Sequence, residues 1–180
     1  MKKLTLIASL IAACGSVGLA QAASTGTITF NGELTASTCD VIVDGKAADA
    51  TIILPTVGIN QLNAAAKTAG RTGFIMALNN CTGTLKTASA FFEAGASVDQ
   101  VTGRLKSTGT ATNVALQLLD GSKASPAVIQ AGNQNQRTNT QFVSVATGSA
   151  NLPYAVEYYA NGATTAGTVI STVVYSIQYK

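Results

Sequence analysis

Histidine and tryptophan are both absent from this 180-residue chain. Without histidine there is no Ser-His triad and no imidazole ligand for a metal. Acids are scarce: Glu33, Asp40, Asp44, Asp49, Glu93, Asp99, Asp120 and Glu157 are the whole set. They are scattered, and nothing in their spacing points to the paired carboxylates of glycoside hydrolysis. The GTG-like stretches lack the strand–loop–helix context of a phosphate loop. Net charge is +3, but Lys2 and Lys3 supply two of those charges and no basic run follows them. Nucleic-acid binding therefore has no electrostatic footprint. Tyr154, Tyr158 and Tyr159 are candidates for sugar stacking, but in a small β domain without tryptophan such residues are more often core or strand residues. These absences lead us to expect no enzyme, no catalytic residue, no cofactor and no metal.

What the chain does have is hydrophobic residues, at 47%, enough for a sizeable core and against disorder. The remainder leans to threonine, alanine, glycine and serine, a β-rich, exported profile. The first residues read "MKKLTLIASLIAACGSVGLAQA". Two lysines, an apolar stretch and Ala20-Gln21-Ala22 make a secretory signal, residues 1–22, cut after Ala22. A rival reading is a lipoprotein box at Ile11-Ala12-Ala13-Cys14, which would leave a lipidated Cys14. No second apolar stretch is long enough to span a membrane. Removal of the signal leaves Cys39 and Cys81, and an even pair in an exported chain reads as a disulfide, with two free thiols as the alternative. Closing the loop 39–81 stabilises by about 4 kcal/mol in the chain-entropy picture.

Strand patterns recur along the mature chain. Apolar residues alternate in "TITFNGEL" (Ile28, Phe30, Leu34, with Gly32 in phase), "GFIMALNNC" (Phe74, Met76, Leu78) and "NVALQLLDG" (Val114, Leu116, Leu118). "ATIILPTV" is a short apolar run broken by Pro55, and "ASAFFEAG", "QFVSVA" and "YAVEYYANG" add further strands. Polar, glycine-containing turns separate them. The architecture this implies is all-β, a sandwich or barrel. One helical turn is expected around "NQLNAAAKTAG". The chain closes on "TVVYSIQYK", where Val173, Tyr175, Ile177 and Tyr179 alternate and no partner strand follows. A last strand without a neighbour is an exposed edge. An alternating segment outside the domain fills such an edge by strand addition, and exchange between molecules generates an open filament. The alternative is that the N-terminal strand returns to its own sheet in a plain monomer.

These pieces in this order resemble the chaperone–usher pilins of Gram-negative bacteria, the type 1 fimbrial major subunits in particular. The resemblance rests on the export signal, "GTITFNGEL" before Cys39, "GFIMALNNC" ending at Cys81, "ATNVALQLLD", "NLPYAVEYYANGATTAGTV" and the end "VVYSIQYK". Penultimate Tyr179 and Gly167 match the family's C-terminal assembly motif. The resemblance implies an incomplete immunoglobulin-like sandwich lacking its last strand, completed by a donor strand from another subunit. It divides the chain into the signal (1–22), an N-terminal donor-strand extension (23–38) and the pilin domain (39–180). Gly26, Ile28, Phe30, Gly32 and Leu34 would be the donor residues. Val173, Tyr175, Ile177 and Tyr179, with Gly167, would form the acceptor edge and chaperone-recognition motif. The implied partners are identical or related pilin subunits, a periplasmic chaperone and the outer-membrane usher, with no nucleic acid. The implied location is the surface fimbrium, reached through the periplasm. Only Ala23, Ser24 and Thr25 precede Gly26, shorter than in many major pilins, which keeps a minor adaptor subunit open as an alternative. A monomeric secreted or lipid-anchored binding module is the other, and there is no room for a tip adhesin's lectin domain.

Overall fold

The computed structural model describes residues 26–180. The expected signal peptide, Cys14 and residues 23–25 lie outside the described residues. Two units emerge, and the described part of the first, residues 26–33, carries no strand or helix. In the second, Leu34–Lys180, nearly all the regular elements are strands. In chain order these are β1 (Thr38–Val43), β2 (Thr68–Thr82), β3 (Thr87–Phe92), β4 (Leu105–Lys106) and β5 (Val114–Asp120). They are followed by β6 (Ala127–Ile129), β7 (Val143–Ser144), β8 (Ala150–Ala160) and β9 (Tyr175–Tyr179). One short helix, α1 (Gln136–Asn139), precedes β7. The helical turn expected within 60–70 is a 3-10 turn at Ile59–Leu62, and Thr68 already begins β2.

The strands form two antiparallel sheets. The larger runs β1-β2-β8-β5-β4 with β6 also on β5, and the smaller runs β7-β3-β9. Their facing sides make the core. From the larger sheet come Phe74, Met76 and Leu78, Leu116 and Leu118, and Leu152, Tyr154 and Val156. Ala88, Ala90 and Phe92 come from the smaller. The alternation read in β2 is realised: Phe74, Met76 and Leu78 are buried, and Gly73, Ile75 and Ala77 are not. β5 departs from it, because all seven of its residues are buried. Its outward Gln117 belongs to a polar ladder across three strands. Arg71 Nε donates to Glu157 Oε2 (2.8 Å), Gln117 Nε2 to Glu157 Oε1 (3.0 Å), and Arg104 Nε to Gln117 Oε1 (3.1 Å). The Arg104 guanidinium also lies 3.5 Å from the Tyr159 ring centre. Glu157, though nearly fully buried, thus keeps both carboxylate oxygens satisfied.

Two side chains stand in for backbone. Gln136 accepts from Phe92 N (2.9 Å) and donates to Phe92 O (3.0 Å), as a neighbouring strand would. The Tyr154 hydroxyl accepts from Ala90 N (2.9 Å). Burial raises the Tyr154 pKa, opposed by hydrogen bonds from Ser89 and Ala90. It stays a neutral phenol at physiological pH.

Cys39 and Cys81 are joined, tying β1 to the end of β2. Mass analysis of the mature protein, alkylated without reduction, is expected to find neither cysteine labelled. Replacing both with serine should cost about 2–5 kcal/mol, seen as a lower melting temperature. Alkylation of both thiols in the native protein would refute the bridge.

Candidate functional site

The final strand is longer than β9 alone. Lys180 exchanges hydrogen bonds with Thr87, and Glu93 N donates to Val174 O (2.8 Å). Upstream, Thr108 N donates to Ile170 O (2.8 Å) and Ala111 N to Thr168 O (3.0 Å). Residues 168–180 thus form one extended stretch, bonded along one edge first to 106–111 and then to β3. Antiparallel bonding uses every second residue, so the even-numbered residues face these neighbours. The backbone N–H and C=O groups of Val169, Ser171, Val173, Tyr175, Ile177 and Tyr179 point to the opposite edge. No strand pairs there among the described residues. The side chains of Val169, Val173, Tyr175, Ile177 and Tyr179 meanwhile pack against the core. One set of residues therefore presents unpaired backbone and inward apolar side chains together.

Across from this edge runs residues 48–57, an extended segment with no backbone–backbone hydrogen bond among the described residues. Two cavities of about 410 and 470 Å³ lie between the two stretches. Ala48–Ile52 and Leu54 face Ser171–Val173 and Tyr175 in the first, and Thr56, Val57 and Ile59 face Thr164–Ile170 in the second. The same two antiparallel walls bound both, so the cavities lie end to end as one groove. Its floor is core: Phe74, Met76, Phe92, Leu118 and Val156 at one end, Leu62, Val114 and Tyr158 at the other. The walls meet at each end. The Tyr175 hydroxyl donates to Ala48 O (2.8 Å), and Thr164 N donates to Leu62 O (3.1 Å). Burial raises the Tyr175 pKa, and the charge of Asp49 raises it further. Burial also raises that of Tyr179, opposed by the backbone of Cys39. Both hydroxyls remain protonated at physiological pH.

Gly167 sits where this wall turns onto residues 110–111. A Cβ there would lie 2.5 Å from Ala111 N, 2.6 Å from Thr110 Oγ1 and 2.8 Å from Thr110 C. Gly109 faces the same limit against the Thr168 carbonyl. Two backbones touch here, so neither position admits a side chain without displacement. Gly167→Ala is expected to cost about 1–3 kcal/mol, measured as a drop in melting temperature of the folded subunit. An unchanged melting temperature would mean the wall moves freely.

The residues expected to form the acceptor edge are thus brought together. The N-terminal set is not in a strand: Ile28, Phe30 and Leu34 are exposed, and Gly26 and Gly32 have no atom within 4 Å of where a Cβ would lie. An alternating segment becomes a strand only with a hydrogen-bonding neighbour. The opposite wall carries "ATIILPTV", which reads in sequence as a strand-like apolar run; it forms no strand, and Ile52 and Leu54 line the groove either side of an exposed Ile53.

Comparison with known proteins agrees with this geometry. Residues 54–180 match the family model "Type-1 fimbrial protein, A". The chain is 44% identical over 165 residues to the major fimbrial subunit SMF-1 of Stenotrophomonas maltophilia, covering 89% of this chain and 96% of that one. It is 37% identical over 188 residues to the F17 fimbrial protein of Escherichia coli, covering all of both. Among solved structures, the P pilus rod subunit PapA superposes with a TM-score of 0.59 at 17% identity, over 79% of this chain and 99% of that one. A Burkholderia pseudomallei antigen and type I fimbria protein superposes with a TM-score of 0.51 at 24% identity, over 81% and 97%. The last two speak to the fold, an immunoglobulin-like pilin sandwich. By the family match and these identities, the chain belongs to the type-1 fimbrial protein family, and it is a structural pilus subunit.

Proposed function

We propose that this subunit polymerises by donor-strand exchange into the rod of a chaperone–usher fimbria that serves adhesion. The observation that carries the reading is the free edge of residues 168–180, facing an unbonded wall across a groove floored by core. An apolar floor of this kind calls for a strand with inward side chains at every second position. The N-terminal segment has that pattern: Gly26, Ile28, Phe30, Gly32 and Leu34 span nine residues, about 30 Å when extended. The free edge from Thr168 to Tyr175, eight residues, is of similar length, about 26 Å. The donor comes from the next subunit, and a head-to-tail exchange of this type does not close. Before assembly a periplasmic chaperone lends the missing strand beside Val173, Tyr175, Ile177 and Tyr179. The outer-membrane usher then catalyses replacement by the donor. In this reading residues 1–22 are the export signal, 23–38 the donor extension and 39–180 the domain. The role is structural, with no reaction, cofactor or nucleic acid involved.

Surface appendages sheared from cells and run on a gel without boiling test the reading. A ladder is expected. A single band at monomer size would defeat the polymer and leave the monomeric binding module.

A further inference from the structure

The chain holds four Asx-Gly pairs: Asn31–Gly32, Asp44–Gly45, Asp120–Gly121 and Asn161–Gly162. In such pairs the glycine nitrogen can attack the preceding side-chain carbonyl, because no Cβ obstructs it. The attack needs a backbone free to turn that nitrogen inward. Three pairs are held. Asp44 N donates to Ile75 O (2.7 Å). Asp120 is buried and Gly121 N donates to Pro153 O (3.0 Å). Asn161 N donates to Asn113 O (2.8 Å), while Asn113 Nδ2 donates to Ala163 O (3.0 Å), closing the turn from both sides. Asn31 differs. It is exposed, lies in a stretch without secondary structure, and neither it nor Gly32 makes a hydrogen bond among the described residues.

We propose that Asn31 is a spontaneous deamidation site that ages the unassembled subunit and that assembly suppresses. The suppression rests on the donor-strand reading above. Gly32 N loses its proton to solvent base and bonds to Asn31 Cγ. The Cγ–Nδ2 bond breaks, and Nδ2 takes up a proton and leaves as ammonia. Water then opens the cyclic imide. Cleavage at Cγ gives aspartate; cleavage at the main-chain carbonyl gives isoaspartate, with the chain routed through Cβ and Cγ. Either product adds a negative charge. Isoaspartate also lengthens the backbone by one atom, so Gly32 and Leu34 fall out of phase with Ile28 and Phe30. A strand whose alternation breaks at its centre cannot present all its side chains to one groove. Once paired, the Gly32 nitrogen is held in an extended ladder and the reaction stops.

The test compares unassembled subunit from periplasmic extracts with sheared fibres, both aged in mildly alkaline buffer and mapped as reduced peptides. In the unassembled fraction Asn31 should gain one mass unit, with isoaspartate detectable by methyltransferase labelling, about tenfold faster than Asn161. In fibres the Asn31 rate should fall about tenfold or more. Aged wild-type subunit should lose incorporation into fibres, while aged Asn31→Gln retains it. Conversion of Asn31 no faster than Asn161 would overturn the site. Fast but equal conversion in both fractions would overturn the suppression, and with it the donor assignment of this segment, while the modification itself stood.

Discussion

Phe30→Asp is expected to abolish fibre formation while leaving the subunit folded. Phe30 is 88% exposed in the single chain, so the substitution removes no core contact there. In the donor role its ring enters a groove floored by residues such as Phe74, Met76 and Leu118. Burying a ring of that size contributes roughly 1.5–3 kcal/mol. An aspartate in its place would be an unpaired charge in an apolar cleft, costing several kcal/mol or forcing protonation. Gly32→Leu should act in the same direction, since overpacking a fitted site costs about 1–3 kcal/mol. Electron microscopy of cells and immunoblots of periplasmic fractions separate the outcomes. Normal fibres from Phe30→Asp would show that this segment is not the donor. Failure to accumulate in the periplasm would place it in its own sheet.

Deleting Ser176–Lys180 is expected to abolish periplasmic accumulation altogether. The deletion strips Ile177 and Tyr179 from the core and leaves the backbone of Ser89 and Phe91 without partners. It also removes Lys180, whose Nζ donates to Arg137 O (2.7 Å) and lies 3.5 Å from the Phe142 ring centre. Two large side chains at roughly 1.5–3 kcal/mol each and a lost strand approach the whole stability of a typical domain, about 5–15 kcal/mol. The cut further removes the edge on which a chaperone strand would pair. A truncated chain that accumulated at normal levels and stayed soluble would refute this account of β9.

Much of the fold was legible because alternation is a local property. Phe74, Met76 and Leu78 share a face by the geometry of one strand, whatever lies beside it. The same holds for Val173, Tyr175, Ile177 and Tyr179. The disulfide was legible because export and an even cysteine pair leave few other readings. What stayed hidden depends on neighbours distant in the chain. β5 was read as half-buried, because nothing in "NVALQLLDG" announces that Arg104 and Glu157 bond Gln117 on its outer side. β4 and β6 are two and three residues long, and no periodicity can declare so short a stretch a strand.

By itself the sequence determined a β domain with an even cysteine pair after its first segment and an alternating segment at each end. Only the tertiary structure decided that a groove exists. Its second wall, residues 48–57, makes no backbone–backbone hydrogen bond among the described residues. The closures at its ends join Tyr175 to Ala48 and Thr164 to Leu62, pairs more than a hundred residues apart. The close approach of Gly109 to Thr168 and of Gly167 to Thr110 and Ala111 is likewise set by two backbones meeting in space. The reason is physical: side-chain alternation follows from one strand's own dihedrals, whereas an unfilled edge is defined by which strand fails to arrive. That is settled by packing across the whole chain.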